Sequence, residues 1–95
     1  MKFEWDRAKA DANERKHVVS FEEAASIFRD FHVDRHDLRR DYGETRFIAL
    51  GVDSNGLVLN VVYTLRGENI RIISAWKASK HERKTYAKAR TNRSL

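Results

Sequence analysis

The chain has 95 residues, 41% of them hydrophobic and 35% charged, with a net charge of +5 and neither cysteine nor proline. That size suits one domain over residues 1–95, and the lack of cysteine excludes disulfides, thiolate zinc sites and cysteine nucleophiles while fitting a reducing, cytoplasmic compartment. No apolar run approaches the roughly 20 residues of a membrane helix, and the opening Met1-Lys2-Phe3-Glu4-Trp5-Asp6 lacks the apolar stretch of a signal peptide, so a soluble protein without membrane contact is expected.

Phe3–Trp5 reads as a short strand. Asp6 then caps a helix over Arg7–His17 whose apolar stripe is Trp5, Ala8, Ala12 and Val18, at helical spacing. Ser20 with Glu23 three residues on forms a capping box for a second helix, which carries Phe21, Ala24, Ala25, Ile27 and Phe28 and ends near Arg29. The two helices form a hairpin joined at Val18-Val19. From His32 the period changes to two: His32–Asp37 is a polar edge strand, Leu38–Glu44 a charged loop, and Arg46–Asp53, Leu57–Arg66 and Asn69–Lys77 are strands. Asn55-Gly56 signals a type I′ hairpin turn, and Gly67-Glu68 a second two-residue turn. Ser79 and Glu82 make another capping box for a last helix, with Tyr86 and Ala87 on one side, and residues 91–95 are expected to fray. The order β-α-α-β-β-β-β-α predicts an α+β domain built on a mainly antiparallel sheet.

Charge is divided unevenly along this order. Residues 1–45 hold 9 Lys/Arg against 11 Asp/Glu, and residues 46–95 hold 10 against 3, an asymmetry that points to a polyanion or an acidic protein partner. Two-residue turns would place Ile48, Leu50, Val52, Leu59, Val61, Tyr63, Leu65, Ile70 and Ile72 on one face as the core. The opposite face would then gather Ala49, Val58, Asn60, Val62, Thr64, Arg66, Arg71, Ile73, Ala75 and Lys77; a bulge would shift that register by one residue.

Cations on a sheet face beside a basic helix suit a phosphate-rich ligand. Cleavage of RNA through its 2′-hydroxyl needs a base, an acid and fixed positive charge for the pentacovalent phosphorus. Arg66 and Arg71 can supply the charge, and Lys77, Tyr86 or a histidine the proton transfer; each cation taken singly also fits an ordinary solvated surface. His32 and His36, four apart on a strand, stand about 13 Å from each other, too far to share a metal. His17 ends the first helix, where a cation complements the dipole. No phosphate-loop, serine-hydrolase or zincin motif occurs, and no cofactor or metal is expected.

Phe3-Glu4-Trp5-Asp6 with Lys9-Ala10, Asn13 and Lys16-His17, then Ser20-Phe21-Glu22-Glu23-Ala24, Tyr42-Gly43-Glu44 with Arg46, and Thr64 with Arg66-Gly67 resemble the BrnT family of toxins in order and spacing. So does the closing block Ile70-Arg71-Ile72-Ile73-Ser74-Ala75, Lys77-Ala78, Glu82-Arg83 and Tyr86. The resemblance implies a RelE-like fold and a metal-independent endoribonuclease that arrests growth by cutting RNA. It implies a type II toxin–antitoxin pair, in which a BrnA-like antitoxin neutralises the toxin and alone contacts operator DNA. It marks Thr64, Arg66, Arg71, Lys77, Tyr86 and position 76 as site residues. Trp76 stands where the family ordinarily carries Arg, so an attenuated ribonuclease, selected or engineered, is expected, with a natural variant or a Trp that stacks bases as the alternative. A non-catalytic RNA- or ribosome-binding module, or a protein-interaction domain, is the alternative. The antitoxin is expected to bury the Arg66/Arg71 face or the Ser79–Arg90 helix.

Overall fold

The computed structural model describes residues 1–93. Five strands, β1 (Lys2–Glu4), β2 (His32–His36), β3 (Phe47–Val52), β4 (Val58–Arg66) and β5 (Asn69–Lys77), form one sheet in the order β1-β5-β4-β3-β2. Only the β1–β5 pair is parallel. The helices are α1 (Arg7–His17), α2 (Phe21–Ser26) and α3 (Lys80–Asn92), with a 3-10 turn over Ile27–Arg29 continuing α2. This is the α+β element order read from the sequence, and both capping boxes form: Ser20 and Ser79 hydroxyls accept from Glu23 and Glu82 amides, and the glutamates accept from the serine amides.

α1 and α2 cover one face of the sheet. Phe21, Ala24 and Ile27 bury there against Ala49, Leu59, Val61, Ile72 and Ala75, the apolar contact that holds a domain of this size together. α3 crosses part of the other face, where Tyr86 packs with Leu50, Ala78 and Phe31.

The β3–β4 turn differs from the type I′ expectation. Its loop is three residues, Ser54 to Gly56, because the Asp53 carboxylate draws in the amides of both Asn55 (2.8 Å) and Leu57 (2.9 Å), and Asp53 itself pairs with Leu57. Only Gly56 takes a positive φ (84°). One extra residue reverses the sidedness of β3, so Ile48, Leu50 and Val52 face α3 and the loop after β2, opposite Leu59, Val61 and Tyr63. The Gly67-Glu68 turn is two residues as expected, with Gly67 at φ 60°.

A bulge in β5 makes the second change. Tyr63 pairs with Ile72 but Val62 pairs with Ser74, leaving Ile73 as the extra residue. Beyond it Ala75 and Lys77 turn to the α1/α2 face, and Ser74 and Trp76 take the places on the other face that simple alternation assigned to their neighbours.

α1 also presents a different side from the predicted stripe: Ala8 and Ala12 are exposed and Asn13 is its buried residue. At the other end, α3 runs on through Thr91 and Asn92; the Thr91 hydroxyl donates to the Ala87 carbonyl and the Arg93 guanidinium lies over Phe31. Ser94 and Leu95 lie outside the described residues.

Candidate active site

β1 accompanies β5 only as far as Arg71, so the next stretch of β5 has a bare edge on that side. Asn13 fills the gap. Its Oδ1 accepts from the Ala75 amide (3.0 Å), and its Nδ2 donates to the Ala75 carbonyl (2.9 Å) and the Val19 carbonyl (3.0 Å). One carboxamide thus does what a neighbouring strand would do, since buried backbone polar groups must be paired. It clamps α1 against the bulge. Lys16 and His17, three and four residues further on, share that side of the helix, and the His17 ring lies 6.2 Å from the Trp76 ring, centre to centre.

The facing wall is the loop after β2. The Asp37 amide still bonds the Arg46 carbonyl (2.8 Å), which closes the loop at its base. The fully buried Asp37 carboxylate receives Nε and Nη2 of Arg39, both at 2.8 Å. The Arg39 bonds hold the Asp37 carboxyl well below the usual carboxylate range, with the Tyr42 hydroxyl contributing, and the same pairing raises Arg39. Arg39, fixed at one end, has its guanidinium 5.4 Å from the centre of the Trp76 ring. Further along, Arg46 lies 4.2 Å over Tyr42 and is held at Nε by Glu44 (3.0 Å). Gly43 allows the intervening bend at φ 71°.

Between these walls runs a cleft with two lobes. One, of about 440 Å³, lies among Arg39, Arg40, Tyr42 and Arg46 above Val62, Ile73 and Ser74. The other, of about 420 Å³, lies among Lys16, His17, Arg39, Ser74 and Trp76. They meet at Arg39 and Ser74. A shallower extension follows α1 past Lys9, Asn13 and His17. Lysines and arginines line all three and no carboxylate does, an arrangement that draws in a polyanion. His17 adds an imidazole, able to accept or release a proton. Among the described residues no three His, Cys, Asp or Glu side chains converge on a point where a metal ion would fit, and no helix is long and apolar enough to cross a membrane.

Of the six residues singled out from the sequence, Trp76 alone lines this cleft. Thr64, Arg66 and Arg71 share its face of the sheet through the Thr64–Arg71 and Arg66–Asn69 pairs, but toward the other end of β5. Thr64 is buried, its hydroxyl donating to the Thr45 carbonyl (2.7 Å). Arg66 approaches Glu44 (3.7 Å), and Arg71 is bonded to Glu4 (2.9 Å), whose carboxyl is lowered by Asn69 and Arg71. Tyr86 is buried under α3, donating to the Phe31 carbonyl and accepting from Arg90. The bulge carries Lys77 to the α1/α2 side, where it adds a little to the Ser20 bonds that hold the Glu23 carboxyl low. Sequence reasoning missed Lys16, Arg39, Tyr42 and Arg46 as members of one site and favoured for His17 a role at the helix end; the signal for Lys16, His17, Tyr42 and Arg46 lay in the motif fragments, and Arg39, within the charged loop, gave none.

Residues 5–82 match the family described as the ribonuclease toxin BrnT of type II toxin–antitoxin systems. A structural relative is the Brucella abortus ribonuclease toxin BrnT, known from a crystal structure at 1.1 Å, which superposes with a TM-score of 0.61 over 84% of this chain and 99% of that one at 22% sequence identity. Among curated proteins no sequence match is found.

Proposed function

Because the chain belongs to the BrnT family of ribonuclease toxins of type II toxin–antitoxin systems, we propose that its two-lobed cationic cleft is where RNA is cut. The convergence of Lys16, His17, Arg39, Ser74 and Trp76 from three separate parts of the chain carries this reading. In the reaction a ribose 2′-oxygen attacks the adjacent phosphorus as its proton is removed, and the departing 5′-oxygen takes up a proton. The products are a 2′,3′-cyclic phosphate and a 5′-hydroxyl, with no change of oxidation state. His17 is the proton carrier within the cleft. Arg39, preorganised by Asp37, faces the charge that builds on the phosphate oxygens, and Lys16, Arg40 and Arg46 hold the flanking backbone. The step uses these cations and the imidazole and requires no divalent ion. Thr64 and Tyr86 act at a distance, by fixing the base of the loop and the seat of α3. Arg66 and Arg71 extend the cationic track along the sheet.

Trp76 stands among these groups where the family resemblance calls for Arg. It supplies neither charge nor a fork for phosphate, and one lost transition-state contact typically costs about 10²–10³ in rate, so this chain is read as an attenuated enzyme. The stacking of Arg39 on Trp76 favours a second reading, an RNA-binding module without cleavage. Cleavage of single-stranded RNA by this chain beside its Trp76→Arg version decides. The arginine version is expected to cut faster by about 10²–10³, and equal rates would refute the attenuation.

A type II toxin has a cognate antitoxin, here proposed to be BrnA-like and to contact operator DNA itself, the toxin joining only through it. Its acidic residues would lie across the cationic sheet face or the exposed Lys80, Lys84 and Lys88 of α3, blocking RNA and stabilising the toxin by mass action.

A further inference from the structure

The two lobes of the cleft are alike in construction. Each holds one aromatic ring with a guanidinium already over it, Tyr42 with Arg46 at 4.2 Å and Trp76 with Arg39 at 5.4 Å. Each has a volume within the range of about 300–1,000 Å³ usual for ligand pockets. They are joined at a single cation, Arg39, whose Nε and Nη2 are committed to Asp37 while its side chain stays half-exposed to the cleft. Aromatic rings and guanidinium planes are the surfaces on which unpaired bases stack.

We infer that the cleft binds two consecutive unpaired nucleotides of RNA, one base stacked on Tyr42–Arg46, the next on Trp76–Arg39, with the phosphate between them at Arg39. The inference rests on the RNA reading above and adds the placement of the substrate. Tyr42 becomes a substrate-positioning residue that no charge argument would select. Stacking is tolerant of base identity because every base has a π face; duplex RNA, whose bases are already stacked on each other, is excluded from both lobes.

The test is equilibrium binding of the full chain to a labelled 2′-O-methyl hexanucleotide, which cannot be cleaved, so that affinity is read apart from activity. Tyr42→Ala is expected to weaken binding by about 5- to 150-fold, the range for loss of one stacked base. Its dependence on salt should stay unchanged, whereas Arg40→Ala should lower the salt slope by about 0.7. Tyr42→Phe should keep most of the affinity. Tyr42→Leu fills the same space without a π face and should bind as poorly as Tyr42→Ala, which guards against an effect of folding. Binding should also quench tryptophan emission in the unaltered chain and not in Trp76→Phe. If the unaltered chain binds while Tyr42→Ala and Tyr42→Leu bind equally well, the stacking assignment is overturned and the RNA reading stands. If the unaltered chain fails to bind the oligonucleotide at all, the RNA reading falls and this placement with it.

Discussion

Replacing Asn13 tests whether a single side chain stands in for a missing strand. Asn13→Ala removes three hydrogen bonds at once and leaves the Ala75 amide, the Ala75 carbonyl and the Val19 carbonyl without partners in the interior. A net loss of about 1 kcal/mol for each bond gives about 3 kcal/mol. Against a total stability of about 5–15 kcal/mol for a small domain this is a large share, and it corresponds to a fall in Tm of about 12–24 °C for a chain of this length. Asn13→Asp is the sharper probe, because it is nearly the same shape. It sets a carboxylate oxygen where Nδ2 now donates to two carbonyls, so repulsion replaces two bonds, and it should destabilise more than alanine. Urea unfolding followed by circular dichroism measures both, with an unchanged m-value showing that the unfolded reference is the same. If Asn13→Ala costs less than about 1 kcal/mol, or if aspartate is tolerated better than alanine, the strand-substitute account is wrong.

Val18 ends α1 in the left-handed region at φ 59° and is mostly exposed. Val18→Gly should therefore raise the Tm, relieving about 1–2 kcal/mol of backbone strain against a smaller entropic cost of glycine of about 0.5–1 kcal/mol; a lower Tm would refute this. The carboxyls of Glu4, Glu23, Asp30, Asp37 and Glu82 are all held below their ordinary values by bonds made in the fold. The unfolded chain binds protons first, so their stabilisation is present above about pH 4 and lost as the pH falls below the ordinary carboxylate range; a Tm that stays constant from pH 7 to pH 3 would contradict it. RNA cleavage by the Trp76→Arg version should persist in excess EDTA, and activity abolished by chelation and restored by a divalent ion would overturn the metal-independent reaction.

The elements and their order were legible because they depend on local signals: the caps at Asp6, Ser20 and Ser79, the change of period after α2, and the glycines at the turns. Sidedness was not, because it depends on counting. The Asp53 carboxylate adds one residue to a hairpin, which reverses β3 relative to β4, and Ile73 adds one to β5, which moves the side chains after it to the opposite face. Lys77 was thereby assigned to the wrong side of the sheet, while Arg66 and Arg71, before the bulge, kept the face expected of them. Those arginines were conspicuous as cations on a regular strand, yet Glu44 and Glu4 stand against them. Arg39, in an irregular loop with no period to read, is the one a buried carboxylate holds in the cleft. Asn13 also resisted reading, since a polar residue beside two alanines on a helix looks like the solvent side.

The parallel pairing of β1 with β5 has a consequence for when this protein comes into being. The first strand finds its place only beside residues 69–71, Asn13 only beside Ala75, and His17 only beside Trp76. Contacts between the beginning and the end of a chain close the longest loops and form late. During synthesis the amino-terminal third therefore waits, with the apolar side of α2 uncovered, until β5 has emerged. No partial chain short of Trp76 contains the cleft, so whatever the cleft binds can be bound only after β5 has been synthesised.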